Sequence, residues 1–371
     1  MATDVIVGQT GKVVQTVYTH TLVKDPSRAR CEFLGWSIDA SEDGTAIILG
    51  SNGTGGSGAD GFGYIGLHRL TRGNELEYIN AHETNSNVDD KFGVAVAMSR
   101  DGQSFVVGGP DDSIFFSNER CYFYDNESPT YKWTEDGIVR RVLDLNRTDH
   151  GQRVAMSGNG LFAMTDSDNG LSYQSKTGDT WLGGLSNVNT STSARSMGMN
   201  DEGDLAFYVR VDGVMFVEQR TGATWSTRTT ETLTLDSGDY FDQGVMSNAG
   251  DEIAFLTDTA NVRVYFATTP DWSTTTSVLL PISSAPALTT SPQLIKMSHD
   301  GNKIAVSYRG TSQIEVLEKT GSLWSDGYTS TLYNTPGLNN GSIAFTDYGN
   351  KLLVGNAQSS VTNIVYVMSL D

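Results

Sequence analysis

A four-residue turn ending in glycine recurs seven times along this chain, each time between two short apolar runs. In residues 91–112, KFGVAVAMSRDGQSFVVGGPDD, Val94, Val96 and Met98 alternate with Ala95 and Ala97. The chain reverses at Ser99-Arg100-Asp101-Gly102 and continues through Phe105-Val106-Val107. Alternation with period two is a strand signal, and Asp-Gly between two such runs predicts a hairpin. The same turn returns as Ser41-Glu42-Asp43-Gly44, Ser157-Gly158-Asn159-Gly160, Asn200-Asp201-Glu202-Gly203 and Ser247-Asn248-Ala249-Gly250. Two more copies are Ser298-His299-Asp300-Gly301 and Thr346-Asp347-Tyr348-Gly349. Successive turn glycines are 58, 58, 43, 47, 51 and 48 residues apart.

A strand-based repeat at a period near fifty predicts a propeller or a solenoid. With 371 residues over seven copies, each repeat has about 53, room for four short strands. Its second half is patterned too. An aromatic-rich strand (Cys121-Tyr122-Phe123-Tyr124; Val214-Met215-Phe216-Val217; Val262 to Phe266; Ile314-Glu315-Val316-Leu317) leads into a turn ending in tryptophan. Thr177-Gly178-Asp179-Thr180-Trp181, Thr221-Gly222-Ala223-Thr224-Trp225 and Thr320-Gly321-Ser322-Leu323-Trp324 are the clear copies; Trp133 and Trp272 follow looser turns. A Thr-rich strand such as 226–233 completes the unit. The last repeat stops at its third strand, 363–368, and residues 1–23 supply a mimic of the missing turn and fourth strand. Closing the ring in this way removes exposed sheet edges. The expectation is an all-β chain, residues 1–371 forming one seven-bladed β-propeller of four-stranded blades, with 1–23 closing the last blade.

Several of these residues resemble FG-GAP repeats of integrin-α-type propellers, in their divergent microbial and viral form. Phe92-Gly93, Val106-Val107-Gly108-Gly109-Pro110, the Tyr122-Phe123-Tyr124 strand and Trp133 carry the resemblance; Phe33-Leu34-Gly35 and Phe241-Asp242-Gln243-Gly244 are looser versions. The resemblance spans the chain and implies the propeller fold and a binding or assembly role. Integrin-like blades bind calcium through Asp-x-Asp-x-Asp-Gly loops, which set hard oxygen ligands at alternate positions. Here only Asn200-Asp201-Glu202-Gly203-Asp204 approaches that pattern, and Asp43, Asp101 and Asp300 are expected to serve turn chemistry instead. The Thr-Gly-x-x-Trp turns are similar to the tail of the sialidase Asp-box, but Lys176 and Arg220 stand where the aspartate belongs.

Forty-four acidic against 25 basic residues give a net charge of -19, which disfavours nucleic acid and anionic membrane surfaces. The surplus serves solubility or an acidic face for a basic partner. No apolar run approaches the ~18 residues of a membrane span. The N-terminus lacks the basic and apolar regions of a signal peptide. Cys31 and Cys121 are too few for a disulfide scaffold. Gly53-Thr54-Gly55-Gly56-Ser57-Gly58 has dinucleotide-loop spacing without the following helix. His20, His68, His82, His150 and His299 are scattered without metal-ligand spacing.

No catalytic, cofactor-binding or metal-binding residue set is expected. The function expected is a non-enzymatic binding or structural role in a virion or surface assembly, with other assembly proteins or a surface receptor or glycan as partners. The alternatives are a secreted adhesin-like or glycan-binding module and a carbohydrate-active enzyme. Recognition is expected in the longest loops, 50–63, 110–120 and 126–132.

Overall fold

The computed structural model describes residues 5–7, 14–21, 35–51, 63–73, 75–83, 92–109, 120–126, 138–144, 151–167, 170–182, 187–188, 194–210, 212–232, 244–256, 261–269, 272–282, 292–308, 313–334, 342–356 and 364–370. Cys31, Trp133, His150 and most of 50–63, 110–120 and 126–132 lie outside them.

The chain opens with β1 (Val5–Val7) and β2 (Val14–Thr21). Blade 1 is β3 (Ser37–Ala40), β4 (Ile47–Ser51), β5 (Tyr64–Leu70) and β6 (Leu76–Glu83). Blade 2 is β7 (Ala95–Met98), β8 (Ser104–Gly109), β9 (Arg120–Asn126) and β10 (Ile138–Asp144). In blade 3, β11 (Val154–Met156), β12 (Phe162–Ser167) and β13 (Gly170–Thr177) are followed by two short strands, β14 (Thr180–Leu182) and β15 (Asn187–Val188). Both pair with β13. Blade 4 is β16 (Ala194–Met199), β17 (Leu205–Arg210), β18 (Val214–Thr221) and β19 (Thr224–Thr232). Blade 5 is β20 (Gly244–Met246), β21 (Glu252–Leu256), β22 (Asn261–Ala267) and β23 (Thr275–Pro281). Blade 6 is β24 (Pro292–Met297), β25 (Lys303–Tyr308), β26 (Gln313–Lys319) and β27 (Tyr328–Asn334). Blade 7 begins with β28 (Ile343–Thr346), β29 (Lys351–Asn356) and β30 (Ile364–Ser369).

The fold is the expected seven-bladed propeller of antiparallel blades. Successive first strands touch around the ring, and β28 touches β3, which closes it. β2 pairs antiparallel with β30, Val17 opposite Met368 and Thr21 opposite Ile364, so the N-terminal strand completes blade 7. β1 adds a fifth strand outside it, which the sequence pattern had not indicated.

The core lies between blades. On β8, Phe105 and Val107 pack towards blade 1 with Ile48, Ile65 and Leu67, while Val106 packs towards blade 3 with Met156 and Ala163. Both faces of such a strand are buried, which is why the second and third strands read as nearly continuous apolar runs. Full burial of each large apolar side chain contributes about 1.5–3 kcal/mol.

Two further devices join blades. At one end of the ring, Gly108 meets the turn that opens blade 3: a Cβ there would lie 1.8 Å from the Gly151 carbonyl oxygen. Gly50 against Gly93 and Gly355 against Gly35 repeat the contact at 2.1 and 2.3 Å. Gly35, Gly93 and Gly151 all have φ between 91° and 94°. The glycine that opens each of these blades and the second-strand glycine of the preceding blade are thus two halves of one backbone contact, and of the opening glycines Gly93 is the one that follows a phenylalanine. In blade 3 the corresponding strand position is Asp166, which accepts hydrogen bonds at Oδ1 from the Arg153 amide (2.6 Å) and at Oδ2 from its guanidinium (3.4 Å).

At the other end the tryptophan turns act as clamps. Trp181 Nε1 donates to Asp125 of the preceding blade (3.1 Å) and Lys176 Nζ donates to the same carboxylate (2.8 Å). Trp324 Nε1 and Lys319 Nζ hold Glu252 of blade 5 in the same manner, at 3.2 and 2.7 Å. Arg220 instead stacks its guanidinium on Phe162 of blade 3, 3.8 Å from the ring centroid, beside Trp225 stacked on Tyr173. Lys176 and Arg220, which break the Asp-box pattern, are therefore blade-to-blade contacts. Trp272 differs: its indole donates to the Gly250 carbonyl of its own blade.

Candidate functional site: the face of the glycine turns

The turns between first and second strands gather at one end of the central channel, and their chemistry explains the recurring residues. The first-position serine accepts the backbone N–H five residues on: Ala46 to Ser41, Ser104 to Ser99, Phe162 to Ser157, Glu252 to Ser247 and Lys303 to Ser298. Where the third residue is Asp or Asn, the serine hydroxyl donates to it, as Ser41 to Asp43 and Ser99 to Asp101. That side chain then accepts the N–H two residues on, as Asp101 does from Gln103. The closing glycine has φ between 65° and 82° in all seven copies, a backbone that a Cβ resists. Partial burial opposes the charge of Asp300, yet hydrogen bonds from Ser298 and Asn302 and the field of Lys303 hold it below the usual carboxylate range. The aspartates at 43, 101 and 300 thus carry the turn role expected of them.

Neighbouring turns are also tied to each other. Glu42 N–H donates to the Arg100 carbonyl, Arg100 N–H to Gly158, Asn159 N–H to Asp201, Asp201 N–H to Asn248, and Tyr348 N–H to Glu42. These bonds join five of the seven neighbouring pairs. In the seventh turn Thr346 donates its hydroxyl to the Ser41 carbonyl, and Asp347 and Tyr348 both adopt positive φ, 52° and 55°. Two consecutive non-glycine residues in that region are costly, and Tyr348 is left 60% exposed at the channel mouth.

The mouth is a basin of about 480 Å³ lined by Glu42, Asp43, Arg100, Asp101, Asp201 and Tyr348 among others. Arg100 spans it, donating to both Glu42 oxygens of blade 1 (2.7 and 2.9 Å) and to Asp201 of blade 4 (2.7 Å). The hydrogen bond to Glu42, opposed by partial burial and reinforced by Asp201, raises the guanidinium above its ordinary value. An adjoining hollow of about 450 Å³ lies between the turns of blades 5 and 6, where Asn248, Asp251, His299 and Asp300 meet Glu202 from blade 4. Buried Glu252 and Lys319 form its wall.

The residues 200–204, considered above for calcium, satisfy each other: Asn200 Nδ2 donates to Asp204 (2.7 Å) and Asn200 Oδ1 accepts from the Leu205 amide (3.0 Å). Among the described residues no group of three or more His, Cys, Asp or Glu is arranged to hold a metal ion. The described histidines are not brought together: His68 packs edge-on against Tyr78, His82 against Tyr124, and His299 stands on the sixth turn. The Cys121 thiol is fully buried, and burial, with the nearby Asp166 charge, raises it well above its ordinary value. The strand ends flanking loops 50–63 and 110–120 lie at the end of the blades opposite the glycine turns. Asn126, where the third long loop begins, shares the turn end and donates its N–H to the Gln103 carbonyl.

The sequence marks Asp43 and Asp101 as turn residues and Asp201 and Glu202 as a partial calcium pattern, but not their convergence with Glu42, Arg100 and Tyr348 on one basin, although part of the signal was there. The second position of the turns, read around the ring, is Glu42, Arg100, Gly158, Asp201, Asn248, His299 and Asp347. In the four turns capped by Asp or Asn it is the position whose side chain the turn does not use.

No family model matches the chain. No curated protein matches its sequence. Its fold is similar to that of solved β-propellers. The Cps50 (Swd1) β-propeller domain of Myceliophteria thermophila superposes with a TM-score of 0.64 at 12% identity, over 92% of this chain and 98% of that one. Hydrazine synthase of Kuenenia stuttgartiensis superposes with a TM-score of 0.62 at 14% identity, over 93% of this chain and 98% of that one. At such identities the likeness establishes the fold and nothing of the chemistry.

Proposed function

We propose that the chain is a non-catalytic docking propeller, a component of a virion or other surface assembly, which engages partner protein through the face of its glycine turns. The observation that carries this is the acid surplus of that face on a rigid ring. Around the channel mouth five carboxylates (Glu42, Asp43, Asp101, Asp201, Glu202) surround one guanidinium, on turns tied to each other through backbone hydrogen bonds. A fixed, charged surface of this kind steers a basic partner and weakens in salt. The contacts of Gly93, from Phe92-Gly93, and of Gly35, from the looser Phe33-Leu34-Gly35, are compatible with the likeness to FG-GAP propellers, which is part of this proposal. Purification of particles from the producing organism tests it. The chain should cofractionate with a particle at fixed stoichiometry and be released by raised salt. Finding it only at its own mass, or finding turnover on a polysaccharide panel, would overturn the reading. Exposed Tyr348 favours a second reading, a glycan-binding module, which direct binding to an oligosaccharide array would reveal.

A further inference from the structure

We infer that the central channel binds a small organic carboxylate with a short apolar stem, held by the Lys296 ammonium and by backbone amides of blades 3, 4 and 5. This goes beyond the docking reading and does not depend on it. The first strands wall a channel of about 710 Å³ and turn towards it the edge opposite their second strands. They end in one register. The first turn residue donates its N–H to the second strand, as Ser157 to Phe162, Asn200 to Leu205 and Ser247 to Glu252. In an antiparallel pair successive N–H groups alternate between the partner strand and the far side. The residue before each turn therefore points its N–H into the channel. The chain itself shows what such amides take. Asp39 accepts from the Ala40 N–H at one carboxylate oxygen (3.0 Å) and, at the other, from the Met98 N–H of the next blade (2.9 Å). Further from the turns, Ser196 Oγ likewise accepts the Gly244 N–H of the next blade (2.7 Å). Met156, Met199 and Met246 hold the place of Met98 in blades 3, 4 and 5 and line the channel, and their amides meet no acceptor among the described residues. A sheet edge of this kind is an anion-binding concavity.

The charges on the wall point the same way. Asp39 stands two residues before its turn, and in blade 6 that position is Lys296. Where blade 1 carries its own carboxylate, blade 6 thus carries a cation. Lys296 lines the channel and has neither an ion pair nor a hydrogen bond among the described residues. Arg153 and Lys296 against Asp39 leave the wall one positive charge in surplus, within a chain of net charge -19. Asp39 is committed to its two amides, and Arg153 donates to buried Asp166 at 3.4 Å. One uncommitted ammonium matches a monoanion, whereas the field of so acidic a chain opposes a multiply charged one. The same wall includes Met197, Val245, Leu294 and Ile295, which suit a short hydrocarbon stem. Entry is from the end opposite the glycine turns, since the turn mouth is ringed with carboxylates and spanned by Arg100.

The test uses the full chain labelled with ¹⁵N only at methionine, and amide correlation spectra. Isocaproate is the probe; isohexanol has its stem without the charge, and inorganic phosphate has charge without the stem. Isocaproate should shift the Met156, Met199 and Met246 amide peaks, each assigned by its substitution with leucine. The peaks of Met164, Met215 and Met368, buried in second and third strands, should stay in place. Isohexanol and phosphate should move none of the six. Lys296→Gln should weaken isocaproate binding at least tenfold, and Lys296→Arg, which keeps the charge, less than threefold. Arg228→Gln, which removes one positive charge from the exposed outer strand of blade 4, should change it less than twofold. Melting temperatures confirm that each variant is folded. Absence of isocaproate binding, equal shifts with isohexanol or phosphate, shifts spread evenly over all six methionines, or equal losses in Lys296→Gln and Arg228→Gln would each overturn the inference. Cofractionation with particles bears on the docking reading alone, so the two can fail separately.

Discussion

Lys319→Met isolates the contribution of one blade-to-blade clamp. Lys319 and Glu252 are 7% and 6% exposed, and Nζ lies 2.7 and 2.9 Å from the two carboxylate oxygens. Methionine keeps most of the aliphatic stem but leaves the carboxylate, among the described residues, with the Trp324 indole at 3.2 Å. Removing one partner of a buried pair costs about 3–5 kcal/mol, because the charge left behind is uncompensated rather than because the pair itself was strongly stabilising. With an unfolding entropy near 2.1 cal/mol/K per residue, 371 residues give roughly 0.8 kcal/mol/K, so the melting temperature should fall by about 4–6 °C. Burial already raises Glu252 above the usual carboxylate range, against the opposing pull of Lys319. Without the lysine the carboxyl should hold its proton still more tightly when folded. The deficit of the variant should therefore shrink as pH falls from 7 and protonation removes the stranded charge. Glu252→Gln on top of Lys319→Met should restore most of the loss at pH 7. Differential scanning calorimetry on the two single variants and the double variant completes the cycle. A Lys319→Met protein that melts with the unaltered chain, or a double variant no better than the single, would refute the stranded-charge argument.

Three other outcomes follow from the joints between blades. Gly108→Ala forces a Cβ into the Gly151 carbonyl, backbone against backbone, and should cost more than about 3 kcal/mol by urea denaturation, whereas Gly178→Ala, with nothing within 4 Å and φ of 57°, should cost only ~1–2 kcal/mol. Asp166 is raised from 3.8 to about 6, chiefly by burial and against the pull of Arg153. A raised acid binds its proton more tightly when folded, so its ionisation destabilises the fold increasingly between about pH 4 and 6, by about 3 kcal/mol in full at higher pH. Asp166→Asn should accordingly be more stable than the unaltered chain at pH 7.5 and equal to it near pH 4; lower stability at pH 7.5 would show that the Arg153 pair outweighs burial. Deleting residues 1–21 strips β30 of its partner β2 and should give a lower melting temperature with concentration-dependent association in light scattering; an unchanged monomer would contradict the closure.

What could be read from the sequence is what repeats at short range. The turn at 99–102 and its six copies place the seven hairpins, because alternation and a glycine at positive φ are local properties. The closing strand expected within residues 1–23 is Val14–Thr21, found by the same local pattern. The clamps were not legible. Asp125 meets Trp181 across 56 residues and Glu252 meets Trp324 across 72, separations set by intervening loops of unequal length. Lys176 and Arg220 appeared only as departures from an Asp-box, since nothing in a linear motif shows which residue of the preceding blade lies opposite. Likewise Gly93 and Gly108 of the resemblance were visible, but not that they touch Gly50 and Gly151 of the neighbouring blades.

The candidate site was hidden by the regularity that revealed the fold. In the turns at 41–44, 99–102, 157–160 and 298–301, positions one, three and four have structural duties: the serine holds the N–H five residues on, the Asp or Asn caps the turn, and the glycine supplies φ. Position two contributes its backbone to the neighbouring turn in most blades, through Glu42, Arg100 and Asp201, and leaves its side chain unconstrained by the turn. A motif search therefore discards the very residue in which the copies differ. Wrapped into a ring, those discarded positions become neighbours around one opening, and their differences become a charge pattern. Glu42 and Asp201 converge on Arg100, while Asn248 and His299 face a gap that neither turn fills. A closed propeller can thus keep its scaffold symmetric and its recognition asymmetric within the same four residues, one position apart.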